Sequence, residues 1–107
     1  MSLCGFIKFT KKNSSFIKFI QDDSLNFLKN FDKKIDFLYL DSLDGQFKNA
    51  SSHQLNEIKF AEKKLHNESL VLLDDKGQKT NLSIEYMINN KFKIINETKQ
   101  QVLLSKT

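Results

Sequence analysis

The sequence has no proline, no tryptophan and no arginine, and its 107 residues include one cysteine and three glycines. A single cysteine excludes an internal disulfide and a cysteine-rich zinc site. The glycines are far apart in the chain, so no glycine-rich loop is available to hold a phosphate group. No apolar run approaches the ~20 residues that span a bilayer. We therefore predict one cytoplasmic domain over residues 1–107 that has no membrane partner.

Lysine alone supplies the positive charge, with 17 lysines against 13 acidic residues and a net charge of +4. Phosphate contacts dominate nucleic-acid binding, and arginine is the side chain that holds phosphate or guanine through two parallel hydrogen bonds. The lysines are instead scattered singly or in pairs among acidic residues. This distribution favours a solvated surface, and we do not expect a nucleic-acid partner.

The spacing of apolar residues predicts strands that alternate with helices. Strands are predicted at 16–20, 35–40 and 70–73, helices at 25–31, 51–66 and 81–90, and a final hairpin at 92–95 and 101–104. A capping box of Ser51 and Gln54 is predicted to open the second helix, with His66 as a structural cation in its last turn. This order indicates an α/β fold, a three-layer Rossmann-like sandwich with a mostly parallel sheet and a C-terminal antiparallel hairpin.

Acidic residues follow each of the three predicted parallel strands. They are Asp22 and Asp23, Asp41, and Asp74 with Asp75. Ligands of open α/β sheets bind outside the carboxyl ends of the strands, so these side chains are expected to meet at one rim. The alternative is that each aspartate only caps a helix or forms a turn.

Several segments resemble, in order, the C-terminal part of class I S-adenosylmethionine-dependent methyltransferases. They are FIKFIQDDS (16–24), IDFLYLDS (35–42), SHQLNEIKFAEKKL (52–65), SLVLLDD (69–75) and the final segment 92–106. The resemblance covers about residues 14–107 and extends to the reversed last strand that this family inserts by a hairpin. It implies a truncated domain that lacks the first strands of the fold. The glycine-rich turn and the acidic residue that hold the cofactor in this family follow those strands and are therefore lacking too.

The resemblance also implies roles for individual residues. Asp23 and Ser24 fall where the family contacts the adenine of S-adenosylmethionine. Asp41 falls beside the transferred methyl group, where it would be catalytic. Asp41, Asp74 and Asp75 would together supply oxygen ligands for Mg²⁺ or Ca²⁺. The alternative for the last two is that they cap the next helix.

The position of His53 near this rim, in the first turn of its helix, makes it a candidate general base, with an ordinary surface imidazole as the alternative. Two functions follow from these observations. The first is a methyltransferase-like domain that is inactive alone and whose partner is a missing N-terminal half. The second is a small non-catalytic α/β interaction module whose exposed sheet edge binds a partner, including a second copy of itself. Because the missing strands would leave a gap, we predict that strand 16–20 pairs directly with strand 35–40.

Overall fold

A computed structural model describes residues 18, 20–41, 49–74 and 80–106. Its elements alternate between helices and strands along the chain. They are α1 (Ser24–Asn30), β1 (Ile35–Leu40), α2 (Ala50–Ala61) with a short 3-10 helix (Glu62–Lys64), β2 (Leu65–Leu73), α3 (Asn81–Asn89), β3 (Phe92–Glu97) and β4 (Val102–Lys106).

The fold is mixed α/β, with four described strands in the order β1-β2-β4-β3. Strands β1 and β2 are parallel, with Leu38 opposite Val71 and Leu40 opposite Leu73. Strand β4 runs antiparallel to both of its neighbours, β2 and β3. Strands β2 and β3 therefore point the same way although a reversed strand separates them.

The core lies between one face of the sheet and the helices. Buried residues of β2 and β4 alternate along the strands, with Val71, Leu73, Val102 and Leu104 all fully enclosed. They pack with Ile58 of α2 and with Met87 of α3, among others. Alternate residues of a strand point to opposite faces, so the remaining positions form a second face.

This second face is apolar and open in part. Phe37 of β1 is 55% exposed, and its register partner Leu70 is half-buried. Leu72 and Leu103, paired across β2 and β4, are half-buried on the same face. The helices of the described residues pack beside one another as one layer, and the predicted third layer is not among those residues.

The start of β2 differs from the sequence-based expectation. The second helix was predicted to continue to His66 and the next strand to begin at residue 70. Instead α2 ends at Ala61, a 3-10 helix covers Glu62–Lys64, and β2 begins at Leu65. The Ser69 hydroxyl holds this start, because it donates to Ile35 O at 2.5 Å and accepts from His66 N at 2.8 Å. The prediction that His66 ends a helix is wrong; it lies in β2, with Nε2 2.6 Å from Asp36 Oδ1.

The predicted capping box is also wrong. Helix α2 has Asn49 as its N-cap and no side-chain capping hydrogen bond. The helix begins at Ala50, so Ser51 lies inside it and is not its N-cap, and Gln54 lies on the buried face of the helix with 2% of its surface exposed. Within the described residues its amide has no hydrogen-bond partner.

Two polar contacts fasten the helices to one another. Lys64 donates to the carbonyl oxygens of Leu28 and Lys29 at the C-terminal end of α1, where a cation compensates the helix dipole. The Tyr86 hydroxyl of α3 donates to Glu62. These bonds join α1 and α3 to the short helix that follows α2.

Three residues of the predicted N-terminal strand, Phe16, Ile17 and Phe19, lie outside the described residues. Lys18 and Ile20 are described, and neither belongs to a strand. Direct pairing of this segment with β1 therefore stays a prediction. No helix in the described part of the chain is long and apolar enough to cross a membrane.

Candidate functional site

Two of the predicted rim acids follow paired strand residues. Leu40 and Leu73 are register partners at the ends of β1 and β2. Asp41 and Asp74 come directly after them, and Asp74 N donates to Leu40 O at 3.4 Å. Their backbones are therefore neighbours at the carboxyl edge of the sheet, where Asp41 is exposed and Asp74 half-buried.

The third predicted metal ligand, Asp75, lies outside the described residues. Among the residues that are described, no three His, Cys, Asp or Glu side chains are grouped as a metal site would require. Two acids are thus described at this edge, Asp41 and Asp74. Their carboxylate oxygens are the kind of ligand that Mg²⁺ and Ca²⁺ prefer. Metal binding by Asp41, Asp74 and Asp75 stays a prediction.

Asp23 caps helix α1. Its Oδ2 accepts from Asn26 N at 3.1 Å, which satisfies one free N–H of the first turn. The preceding Asp22 accepts from Asp23 N at 2.8 Å and from the Asn26 amide. Asp23 is exposed, and its cap uses Oδ2. Asp23 can therefore cap α1 through Oδ2 and at the same time accept a hydrogen bond from another molecule through Oδ1.

Ser24 and His53 are brought together although 29 residues separate them. Ser24 opens α1 and His53 lies in the first turn of α2, and Ser24 Oγ is 3.2 Å from His53 Nε2. The same nitrogen is 3.5 Å from Glu57 Oε2. Glu57 is 1% exposed and His53 is 16% exposed, so the contact lies at the junction of the two helices.

The structure thus connects two predicted site residues, Ser24 and His53, and adds Glu57, which the sequence reasoning missed. The signal that could have found Glu57 is its spacing, because residues i and i+4 of a helix are neighbours on one face. Helix α2 is followed by β2, which starts beside Ile35 at the opposite end of β1, so the first turn of α2 lies toward the edge that carries Asp41 and Asp74, and Ser24 lies against that turn.

Neither a family model nor a curated protein matches this sequence. The structure is similar to a solved structure described as a "putative rRNA-methylase" from Clostridium thermocellum. The TM-score is 0.60 and the sequence identity 15%, over 97% of this chain and 69% of that chain. The chain has a methyltransferase-like fold. At this identity the similarity concerns the fold alone.

Asp23 and Ser24 place a carboxylate oxygen and a hydroxyl next to each other at the start of α1. Both groups can take part in further hydrogen bonds. The three glycines of the sequence are far apart, so it contains no glycine-rich turn.

Proposed function

We propose that this chain is the C-terminal part of a class I S-adenosylmethionine-dependent methyltransferase domain and that it is inactive alone. The observation that carries the proposal is the reversed strand β4 between β2 and β3. This is the arrangement that the resemblance implies for the end of the sheet. The similar solved structure supports the fold, and the missing glycine-rich turn supports the loss of independent cofactor binding.

In this proposal the cofactor supplies an electrophilic methyl group, and the protein mainly places the reactants, which can lower a barrier without many catalytic groups. Asp23 accepts from the exocyclic amine of adenine, and Asp41 lies on the side of the methyl acceptor. The acceptor is an oxygen or nitrogen nucleophile. The similar structure's description makes an RNA group one candidate, although the scattered lysines argue against an extended nucleic-acid surface.

Titration calorimetry of the purified chain with S-adenosylmethionine tests the proposal. We expect binding weaker than a dissociation constant of about 10 μM, because only the adenine side is present. Asp23→Ala should weaken any measurable binding most. Asp32→Ala is the matched control, since Asp32 is an exposed aspartate just beyond the other end of α1. Tight binding by the wild type, or equal effects of the two substitutions, contradicts the proposal.

The proposal places a divalent cation, where one binds, between Asp41 and the Asp74–Asp75 pair. A ligand that binds only the folded state raises its stability. We therefore expect millimolar Mg²⁺ or Ca²⁺ to raise the melting temperature of the wild type and of Asp32→Ala, and not that of Asp41→Ala. The same shift in Asp41→Ala rejects this site.

One observation favours the second candidate, a non-catalytic interaction module. Strand β1 lies at the edge of the described sheet, and two of its apolar side chains on the same face are exposed, Phe37 by 55% and Tyr39 by 47%. Neighbouring apolar groups that are exposed together often mark an interface with another protein. If this surface binds a second copy of the chain, Phe37→Ser should lower the molar mass that light scattering measures for the protein in solution. Phe60→Ser, at an exposed position of α2, should leave that mass unchanged. A monomeric wild type excludes the second copy as partner.

A further inference from the structure

The second face of the sheet carries an apolar surface that extends across three strands. Phe37 and Tyr39 of β1 are 55% and 47% exposed. Their register partners on β2 are half-buried Leu70 and Leu72, and Leu72 pairs in turn with half-buried Leu103 of β4. We call these five residues the open face. Apolar groups that are contiguous on a surface mark a place where another segment or molecule can bind.

The open face borders helix α1. A groove of about 390 Å³ lies between α1 and β1, and its lining includes Phe27, Phe31 and Phe37. A neighbouring hollow of about 300 Å³ shares Phe27 and Phe31 with this groove. The lining of the hollow also includes Lys18 and Ile20, the first two described residues of the chain. The chain that precedes Lys18 therefore starts beside the groove that leads to Phe37.

The sequence before Lys18 contains a short apolar stretch. Residues 3–9 read LCGFIKF and carry four large apolar side chains, and the polar stretch TKKNSS follows at 10–15. The family resemblance covers only about residues 14–107, so it implies nothing for residues 3–9. The similarity to the solved structure covers 97% of this chain, so its matched part extends into the first 17 residues. This supports residues 3–9 as part of the same domain.

The polar stretch is long enough to carry residues 3–9 across the open face. Eight residues, 10–17, separate the apolar stretch from Lys18, and eight extended residues span about 26 Å. Neighbouring strands lie about 4.8 Å apart, so three strands are about 10 Å across. The remaining length of the linker is available to pass the groove beside α1.

A tethered segment has an advantage over a separate molecule. A short flexible linker holds the segment near its site at an effective concentration in the millimolar range, so a second copy at micromolar concentration must bind about a thousandfold more tightly to displace it. Removal of apolar surface from water favours either contact. The tether therefore decides in favour of the chain's own segment.

We propose that residues 3–9 bind the open face of their own chain and cover Phe37 and Tyr39. The inference goes beyond the proposed function, because it requires neither a cofactor nor a methyl acceptor. It makes the open face an intramolecular docking surface. A second copy, or any other partner that binds this face, must first displace residues 3–9.

A spin label on Cys4 tests the proposal in the full chain, because Cys4 is the only cysteine and lies within residues 3–9. A nitroxide broadens the nuclear magnetic resonance signals of nearby amides. In ¹⁵N-labelled protein, the signals of Phe37 and Leu72 should lose at least fivefold more intensity than that of Tyr86. Tyr86 is the internal reference, because it packs against the core on the other side of the sheet. Equal losses overturn the proposal.

A mixed sample distinguishes the two occupants of the open face. ¹⁵N-labelled Cys4→Ser protein without a nitroxide is combined with an equal amount of unlabelled wild type that carries the nitroxide. Contact within one chain leaves the Phe37 and Leu72 signals of this sample at full intensity. Loss of these signals shows that a second copy binds the face and overturns the proposal.

Two variants test the apolar contact itself. Phe6→Ser removes a large apolar side chain from the stretch, and Lys12→Ser is the matched control in the polar stretch. The nitroxide effect at Phe37 and Leu72 should fall at least fivefold in Phe6→Ser and stay unchanged in Lys12→Ser. An unchanged effect in Phe6→Ser overturns the proposal. Unshifted signals of α3 show that a variant is folded, and the wild-type and mixed samples decide the matter where one is not.

Discussion

Replacement of Gln54 by methionine should stabilise the protein. The side chain lies on the inner face of α2 between Ala50 and Ile58, with 2% of its surface exposed. Within the described residues neither Oε1 nor Nε2 has a hydrogen-bond partner. A buried polar group that loses its water contacts without gaining a partner costs about 1–3 kcal/mol. Methionine has a similar length and adapts to irregular apolar surroundings.

We therefore expect Gln54→Met to raise the free energy of unfolding by about 1–3 kcal/mol. In a domain of this size each kcal/mol corresponds to a rise of about 4–8 °C in Tm. Urea unfolding followed by circular dichroism measures the change, and an unchanged slope with denaturant shows that the transition itself is the same. Asn56→Met, at an exposed position of the same helix, should change stability by less than about 0.5 kcal/mol. A loss of stability in Gln54→Met would refute the reasoning, because it would show that the amide is satisfied in solution.

Three further predictions concern the contacts that fasten the elements together. Tyr86→Phe removes the hydrogen bond to Glu62 and should cost about 1 kcal/mol near neutral pH. That bond favours the neutral phenol and therefore raises the pKa of Tyr86 above 10.0. The stabilisation that it provides is complete below pH 10.0 and is lost as the pH rises through the raised pKa. Urea unfolding of the wild type and of Tyr86→Phe across this pH range checks the direction of the change. Ser69→Ala leaves the carbonyl of half-buried Ile35 and the N–H of half-buried His66 without this partner, and should cost about 1–3 kcal/mol by urea unfolding. Half-buried Ser105→Ala is the control, and equal losses would contradict this account. Lys64→Met should speed hydrogen exchange in α1 more than in α3, and equal protection would show that the Lys64 bonds contribute little.

Local sequence patterns predicted the elements that local forces determine. Strand β1 was predicted at residues 35–40 and forms there, because its apolar run is bounded by charged Lys34 and Asp41. Helix α1 begins after Asp23 as expected for an aspartate cap. Helix α3 was predicted at 81–90 and spans Asn81–Asn89. The chain leaves it through Lys91, whose φ of 72° lies where glycine is the usual residue.

The errors arose where distant residues decide the structure. The start of β2 depends on Ser69, whose hydroxyl bonds to Ile35 O on the neighbouring strand. A pattern of apolar residues carries no information about such a bond. The same limit applies to the candidate site, because Ser24 and His53 become neighbours only when α1 and α2 pack together. Aspartates at strand ends were predictable from their position, whereas the role of His53 depends on which ring nitrogen is bonded.

Helix α1 has seven residues, and a helix that short is unstable by itself in water. Its two ends are held by the segment that begins with α2. His53 contacts Ser24 at its start, and Lys64 donates to Leu28 and Lys29 near its end. The position of Asp23 and Ser24, the residues that we propose contact adenine, is therefore set by contacts that α2 and the following turn provide. Substitutions at Lys64, far along the chain from any assigned ligand contact, should consequently weaken nucleobase binding in proportion to the protection that α1 loses in hydrogen exchange.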